Sequence, residues 1–187
     1  MKHIFFCLVH AAALSLAAPA FASPFYPTEA AVFFSPNGGA ENAIVRSIDS
    51  AKSRIRMQAS LFSNKEITGA LIRAHQRGVK VDVIIDKKMP KKKPNTTEDL
   101  IEAGVPTFFD TAHRTAHDKI IIVDDDIVLT GSFNFVKVAE TKNGENLLIL
   151  KSKPLPEEYV KNWEKHFTHS VPAAPEKEKG TEVPLTK

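Results

Sequence analysis

Strand-like runs and helical patterns take turns along the chain. Runs typical of strands lie at 30–34, 55–62 and 79–86. Between them, apolar residues recur every three or four positions, as they do on one face of a helix. The second helical stretch begins with the capping-box pair Ser63 and Glu66 and ends at a glycine. This strand–helix–strand order predicts a parallel pair of strands joined by a crossover helix.

The second half of the chain continues this alternation and ends in an amphipathic helix. Its predicted elements are a helix near 98–103 and strands at 105–110, 119–123, 127–130 and 145–151. Three aspartates separate the middle two of these strands, which indicates a strand pair around a turn. In the last helix Tyr159, Trp163 and Phe167 are four residues apart and predict a stripe of core residues. Together these elements predict a single α/β domain.

The N-terminal sequence has the order of charge, apolar run and small residues that is typical of a secretory signal peptide. Lys2 precedes the apolar run, and Ala20-Phe21-Ala22 supplies a cleavage signal. We predict a signal peptide at 1–22, cleaved after Ala22 or, as the alternative, after Ala20. A membrane anchor is the other interpretation, but the apolar run is short for a spanning helix and contains a proline. The mature protein is then expected in the periplasm or outside the cell.

Cleavage would leave about 165 of the 187 residues, enough for one domain with a substantial core. It would also remove Cys7, the single cysteine, which excludes disulfides and cysteine metal sites. The net charge of the chain is small and says little about binding partners, so these have to be inferred from local clusters of charged residues. We predict that the domain occupies 23–170. A disordered tail is predicted at 171–187, where large apolar residues are almost absent.

A group of polar residues stands at the edges of the predicted 119–123 and 127–130 strands. Its members are His117, Lys119, Asp124, Gly131, Ser132 and Asn134. His117 and Lys119 are two positions apart, so on a strand their side chains share one face. A neutral imidazole is a competent nucleophile, and an ammonium beside it can hold a phosphate oxygen. Ser132 and Asn134 offer further hydrogen-bond donors, so the group suits a phosphodiester anion.

This spacing of His-x-Lys, Asp and Gly-Ser-x-Asn resembles the HKD motif of the phospholipase D superfamily. With the segments AETKN and EN that follow, the chain closely resembles the small bacterial endonucleases of that superfamily, which carry one motif per chain. The similarity runs from about Val32 to Phe167. It implies a phospholipase D-like fold, in which a mixed β-sheet is flanked by helices on both faces. It also implies a supporting role for Asp124, and a role for Glu145 in fixing the tautomer of an imidazole.

Cleavage of a phosphodiester by histidine attack needs a second group that protonates the leaving oxygen. This chain has one motif, whereas longer members of the superfamily have two. The resemblance therefore implies a homodimer, in which two chains pair about a two-fold axis and share one composite active site. His117 of one chain would form a phosphohistidine, and His117 of the other would act as an acid and then as a base.

The sequence thus predicts an exported, metal-independent endonuclease that cleaves DNA, or RNA as an alternative, with little sequence preference. The segment 87–95, KKMPKKKPN, predicts a loop without regular structure at the end of a strand. We predict that its Lys91, Lys92 and Lys93 contact nucleic acid, with a solvated surface loop as the alternative. Two other functions stay open: a phospholipase acting on a lipid phosphodiester, and a nucleic-acid-binding protein with vestigial catalysis. No stable membrane association is expected after signal cleavage.

Three adjacent aspartates at 124–126 raise the alternative of a Mg²⁺ or Ca²⁺ site. Successive residues of a strand point to opposite faces, however, and the spacing of a calcium loop is absent from the sequence. A solvated turn is therefore the preferred interpretation, and we predict no metal site and no cofactor. Of the other histidines, His113 is a weaker candidate for substrate contact. His166 and His169 are predicted to lie at a helix end, where a cation meets the helix dipole favourably.

Overall fold

The computed structural model describes residues 25–173, in which one mixed sheet of eight strands carries helices on both faces. In chain order the elements are β1 (Glu29–Ser35), α1 (Ala40–Asp49), β2 (Arg54–Ala59), α2 (Lys65–Gln76), β3 (Lys80–Asp86), a 3-10 turn (Met89–Lys91), α3 (Thr97–Glu102), β4 (Thr107–Asp110), β5 (Lys119–Val123), β6 (Ile127–Gly131), α4 (Lys137–Thr141), β7 (Glu145–Lys151), α5 (Pro154–Thr168) and β8 (Ser170–Pro172). Among these helices none is both long and apolar enough to cross a membrane. The predicted signal peptide lies outside the described residues.

The strand order in the sheet is β1-β7-β6-β5-β2-β3-β4-β8. Strand β3 pairs in parallel with β2 and β4, while the other neighbours are antiparallel. The predicted parallel pair with a crossover helix is therefore confirmed, as is the predicted class of a mixed sheet with helices on both faces. All the predicted strands occur in this one sheet, which makes a single domain.

Strand β2 shows how the alternating pattern places one helix layer on each face of the sheet. Ile55 and Met57 belong to the large core that α1 and α2 cover. Arg56 and Gln58 have the opposite parity and point toward the face that α5 covers. On that face Trp163 packs in a smaller apolar cluster, and its indole N–H donates to the carbonyl oxygen of Met57 at 3.1 Å. The hydrogen bond fixes α5 over the middle of the sheet.

Helix α2 begins one residue later than predicted. Its N-cap is Asn64, whose side-chain oxygen accepts hydrogen bonds from the backbone N–H groups of Glu66 and Ile67 at 3.0 and 3.2 Å. The capping prediction with Ser63 is therefore wrong, because an asparagine fills the same role one position further on. Asn64 Nδ2 also donates to Glu41 Oε2 at 2.6 Å, which joins α2 to α1.

The lysine-rich segment contains one turn of 3-10 helix, although its composition predicts no regular structure. The side chain of Met89 is buried, and the backbone N–H of Lys92 donates to its carbonyl oxygen at 2.9 Å. Burial of one apolar residue thus orders a turn among exposed lysines. The short helix α4 was not predicted, because five residues are too few to show a helical period.

The C-terminal boundary of the domain lies beyond the predicted one. Val171 and Pro172 were assigned to a disordered tail, but they belong to β8 and pair with β4. The backbone N–H of Ala173 continues this pairing by donating to the carbonyl oxygen of Thr107 at 2.8 Å. Edge-strand pairing depends on backbone groups rather than apolar side chains, so composition gave no signal for it. The rest of the predicted tail lies outside the described residues.

Candidate active site

A polar cleft opens where β5 begins and β6 ends, beside the start of β7 and the first half of α5. Its volume is about 780 Å³, within the range of small-molecule sites. The cleft is lined by His117, Asp118, Lys119, Ile120, Thr130, Gly131, Ser132, Asn134, Glu145, Glu158, Tyr159 and Asn162. The fold thus brings five of the six predicted catalytic and phosphate-binding residues into one cleft, and leaves out Asp124.

His117 and Lys119 meet at the floor of the cleft. His117 is exposed in the loop before β5, while Lys119 is the first residue of the strand and is buried. The ammonium Nζ donates to the carbonyl oxygen of His117 at 2.7 Å and lies 3.0 Å from its Nδ1. Burial lowers the pKa of Lys119, against the attraction of the Asp118 and Glu145 carboxylates. The lysine is therefore held beside the imidazole, where both can reach one phosphate group.

A buried carboxylate that sequence reasoning missed holds the loop of His117. Asp86 ends β3 and is 3% exposed, so its charge depends on hydrogen bonds for stabilisation. Its Oδ2 accepts from the backbone N–H of Ala116 at 2.6 Å, one residue before His117. Its Oδ1 accepts from the N–H of Lys88 at 2.8 Å. The signal in the sequence was an aspartate at the carboxyl end of a buried parallel strand, where such folds place functional groups.

The turn at Gly131 requires a glycine. Its φ is +148°, and a Cβ at this position would lie 2.3 Å from the backbone oxygen of Asn146. The close approach lets Ser132 reach β7, where its Oγ donates to Glu145 Oε2 at 2.6 Å. The N–H of Asn146 in turn donates to Ser132 Oγ at 3.1 Å. The hydroxyl proton of Ser132 is thus used inside the chain, and its predicted contact with phosphate stays a prediction.

Glu145 and Asn134, two further predicted residues, line the cleft and differ in how fully their side chains are hydrogen-bonded. The carboxylate of Glu145 accepts from Ser132 and, at 3.1 Å, from Asn143 Nδ2. Its predicted contact with an imidazole stays a prediction, because within one chain these two partners hold it. Asn134 differs, since its Oδ1 is buried and has no hydrogen-bond partner among the residues that the structure describes. An unpaired buried amide oxygen is costly, so this amide is a candidate for ligand contact.

Asp124 lies at the far end of β5, about 17 Å from Lys119 by strand rise, and its grouping with the catalytic residues is not supported by its position. Its carboxylate accepts backbone hydrogen bonds from Lys52, Ser53 and Arg54 at 2.8–3.0 Å. Burial acts to raise the pKa of Asp124, and these hydrogen bonds outweigh it, so the pKa is lowered. The supporting role implied for Asp124 fits this contact with the α1–β2 loop.

The turn predicted at the three aspartates is present. Asp124 and Asp125 have φ values of 52° and 56°, and the N–H of Asp126 donates to Val123 at 3.1 Å. Positive φ at both central residues is the geometry of a type I′ turn, which aspartate tolerates, and the residues 124–126 connect the paired Val123 and Ile127. Asp125 also forms an ion pair with Arg56.

The lysine-rich segment lies against the loop that leads to His117. Lys87 Nζ donates to the carbonyl oxygen of Thr111 at 2.6 Å, and Lys88 Nζ donates to Thr115 Oγ1 at 2.9 Å. The three lysines of the prediction, Lys91, Lys92 and Lys93, are exposed and do not line the cleft. Their contact with nucleic acid stays a prediction, but the segment that carries them is positioned beside the cleft loop.

The wall that α5 contributes was not predicted as part of the site. Glu158, Tyr159 and Asn162 line the cleft from the first half of that helix. Tyr159 was assigned to the core stripe, and it does pack against the cluster around Trp163. Because Tyr159 is half-buried, its side chain can both pack against the Trp163 cluster and line the cleft. The spacing of three and four residues, which puts these side chains on one helix face, was the available signal.

Comparison with known proteins agrees with this geometry. Residues 44–170 match the family described as cardiolipin synthase, PLD-like domain. The phospholipase D of Rickettsia typhi is 39% identical over 130 residues, which cover 70% of this chain and 64% of that protein. The mitochondrial cardiolipin hydrolase of Xenopus tropicalis is 34% identical over 145 residues, covering 70% of this chain and 69% of that protein.

Solved structures show the same fold. Nuc from Salmonella typhimurium, a phospholipase D family member, is 35% identical and superposes with a TM-score of 0.75, covering 79% of this chain and 99% of Nuc. NucT from Helicobacter pylori has the same fold, with a TM-score of 0.72 at 23% identity. The family match and the identities show that this chain belongs to the phospholipase D superfamily. It spans less than two thirds of the Rickettsia typhi protein.

Proposed function

We propose that this chain is an exported, metal-independent endonuclease that hydrolyses phosphodiester bonds of DNA, with RNA as an alternative substrate. The proposal rests chiefly on the meeting of His117, Lys119 and Asn134 in one polar cleft. A nucleophile, a cation and an amide within reach of one phosphate can support displacement at phosphorus without a metal, once an acid protonates the leaving oxygen. The choice of nucleic acid is supported by the 35% identity to Nuc over nearly its whole length and by the exposed lysines beside the cleft loop.

In the first step, a ring nitrogen of His117 attacks phosphorus and forms a P–N bond while the bond to the leaving oxygen breaks. An acid transfers a proton to that oxygen, so that it departs as an alcohol. Lys119 Nζ, 3.0 Å from the ring, stabilises the charge that grows on the phosphoryl oxygens. In the second step, the former acid takes a proton from water. The water oxygen forms a P–O bond as the P–N bond breaks, which restores the free imidazole.

The acid would be His117 of a second chain, since one chain supplies one motif. The edge of the sheet beside the cleft is suited to such pairing. Val32 and Phe34 on β1 are 51% and 64% exposed, and Phe34 pairs in register with Asn146, next to Glu145. Exposed apolar side chains next to an open cleft form a surface that a two-fold axis can bury against itself. This arrangement supports the proposed homodimer with a composite site.

A lipid phosphodiesterase is the second candidate. It is favoured by the names of the relatives, phospholipase D in Rickettsia typhi and cardiolipin hydrolase in Xenopus tropicalis. The cleft chemistry is the same for both substrates, because each presents a phosphodiester anion. Substrate choice would then depend on what surrounds the cleft rather than on His117.

The test compares cleavage of plasmid DNA, RNA and cardiolipin vesicles by the full chain in EDTA, at a temperature where circular dichroism shows it folded. We expect DNA cleavage that His117→Asn abolishes and that Lys119→Ala and Asn134→Ala reduce by about 10²–10³-fold. His75→Asn, a change of a histidine outside the cleft, is the matched control and should retain full activity.

Three outcomes would contradict the proposal in different ways. Hydrolysis of cardiolipin without nucleic-acid cleavage would establish the lipid enzyme instead. Binding of DNA without cleavage of any substrate would establish a binding protein with vestigial catalysis. Loss of cleavage in EDTA by a chain that remains folded, with recovery in Mg²⁺, would refute the metal-independent chemistry.

A further inference from the structure

Four polar side chains that the sequence does not group converge beside β4, near the β8 side of the sheet. They are Asp110, which ends β4, His113 in the following loop, and His166 and His169 at the end of α5. One atom of each lies within 4.8 Å of the others. The prediction that His166 and His169 merely meet the helix dipole is therefore incomplete, because both rings turn toward a carboxylate.

The carboxylate of Asp110 is fully buried and has a fixed orientation. Its Oδ1 accepts from the backbone N–H groups of Ala112 and His113 at 3.1 and 3.2 Å. Oδ2 lies near all three imidazoles, with His113 Nδ1 at 2.9 Å, His166 Nδ1 at 2.9 Å and His169 Nε2 at 3.3 Å, and His113 Nδ1 is also 3.1 Å from Oδ1. The two backbone donors thus hold the carboxylate in place beside the three rings.

Hydrogen bonding alone accounts poorly for this arrangement. Two backbone N–H groups and three imidazole nitrogens surround one carboxylate, which has about four lone-pair sites. The rings also lie against each other, with centroids 4.7 Å apart for His113 and His166 and 5.1 Å apart for His113 and His169. A single cation among three neutral rings and one carboxylate would satisfy all four groups.

We propose that Asp110, His113, His166 and His169 bind one Zn²⁺ ion. Imidazole nitrogens and carboxylate oxygens are both zinc ligands, and three of the first with one of the second can form a closed four-coordinate tetrahedral set. With Zn–ligand bonds of about 2.0–2.2 Å, neighbouring ligand atoms of a tetrahedron are about 3.3–3.6 Å apart. The three nitrogen–oxygen distances are 2.9–3.3 Å, so His113 and His166 would move outward by a fraction of an ångström on binding the ion. The backbone donors to Oδ1 supply the outer contacts that orient a ligand.

This ion would be structural rather than catalytic. Three strand spacings separate β4 from β5 in the sheet, so Asp110 lies about 14 Å across it from Lys119. The four ligands instead join β4, its following loop and the end of α5, next to the point where β8 pairs with Asp110. Zinc would thus attach the end of α5 to the sheet, and α5 also forms one wall of the cleft. Two pairs three residues apart, Asp110-x-x-His113 and His166-x-x-His169, are the trace of this site in the sequence.

The test uses the full chain without a histidine tag, stripped with EDTA and dialysed into metal-free buffer. After incubation with ZnCl₂ and gel filtration, we expect about one zinc per chain by plasma mass spectrometry. Zinc at about 100 times its dissociation constant should raise Tm by roughly 5–10 °C. Co²⁺ in place of zinc should give the strong visible absorption of a tetrahedral site.

His113→Ala and His169→Ala should each lower zinc affinity more than about 100-fold, since loss of an outer contact alone costs about 10–100-fold. His113 lies on an exposed loop, so its variant is expected to fold even if the other does not. His75→Ala and His117→Ala are the matched controls and should retain the full zinc content. The proposal is wrong if the wild-type chain retains no zinc, if the ligand variants retain it in full, or if His117→Ala removes it.

Discussion

Asp86 provides the sharpest test of how the cleft is built, because it holds the loop of His117 and does not itself line the cleft. Replacement by asparagine keeps the shape of the side chain but turns one acceptor oxygen into an NH₂ donor. One of the two backbone N–H groups, Ala116 at 2.6 Å or Lys88 at 2.8 Å, then faces a donor instead of an acceptor. The loop has to move to relieve this contact.

The expected size of the effect follows from these two contacts. Loss of one hydrogen bond to a buried charge costs about 1.5–3 kcal/mol, which lowers Tm by roughly 3–12 °C for a chain of this size. Displacement of the Ala116 backbone moves His117, the next residue. A misplacement of about 1 Å can cost about 10²-fold, so we expect kcat/KM per folded molecule to fall by roughly 10–100-fold.

Asp82→Asn is the matched control for this change. Asp82 is also buried on β3, but it pairs with Arg54 at 3.1 Å and has no contact with the His117 loop. Its variant should lose stability and keep the kcat/KM of the folded fraction. The assay measures initial rates on plasmid DNA against the folded fraction from circular dichroism. If Asp86→Asn and Asp82→Asn behave alike, Asp86 stabilises the fold only and does not position His117.

Three further predictions address the dimer, the lysines and the aspartate turn. When His117→Asn chains are refolded with an equal amount of wild-type chains, a shared site should leave roughly a quarter of the activity of the same total amount of wild-type chains, because mixed dimers lack one imidazole. Half of that activity would mean that each chain works alone. Replacing Lys91, Lys92 and Lys93 by alanine should flatten the slope of log affinity for duplex DNA against log salt by about 0.9 per lost phosphate contact; an unchanged slope would leave them a solvated surface. Asp124 has a lowered pKa in the folded chain, so its stabilisation is complete above its unfolded pKa of about 3.9 and is lost as the pH falls through the folded pKa. Asp124→Asn should therefore cost about 1–2 kcal/mol at neutral pH and make Tm less dependent on pH below about 4, as measured by thermal melts across that range; a wild-type acid slope in the variant would contradict this.

Local patterns in the sequence were enough to predict the strands and the motif that the cleft contains. The β5–β6 hairpin follows from two apolar runs around aspartates, and its register alone brings His117 and Lys119 near the turn at Gly131. Such features depend on residues close together in the chain. They need no knowledge of which distant strands become neighbours.

Contacts between distant segments could not be predicted in the same way. Asp86 reaches Ala116 because β3 and the loop after β4 end at the same edge of the sheet. Asp110 meets His166 because α5 crosses the sheet and returns its last turn to the end of β4. Both contacts depend on the order of the strands in the sheet, which the alternation of apolar and polar residues along the chain does not determine. The sequence therefore indicated the reacting groups better than the groups that hold them.

The position of β1 has a consequence for the order of folding. Within residues 25–173 this first strand pairs with β7 alone, so that Ser35 lies opposite Glu145 and Glu29 opposite Lys151. The other strands can find partners much nearer in the chain, as β5 and β6 do. Contacts between distant segments form slowly, because a long loop must close, at a cost in entropy, before the contacts contribute favourable free energy. The sheet is thus expected to form from its centre. Strand β1, at the beginning of the domain, is expected to join it only after β7, in the last third of the domain, is in place.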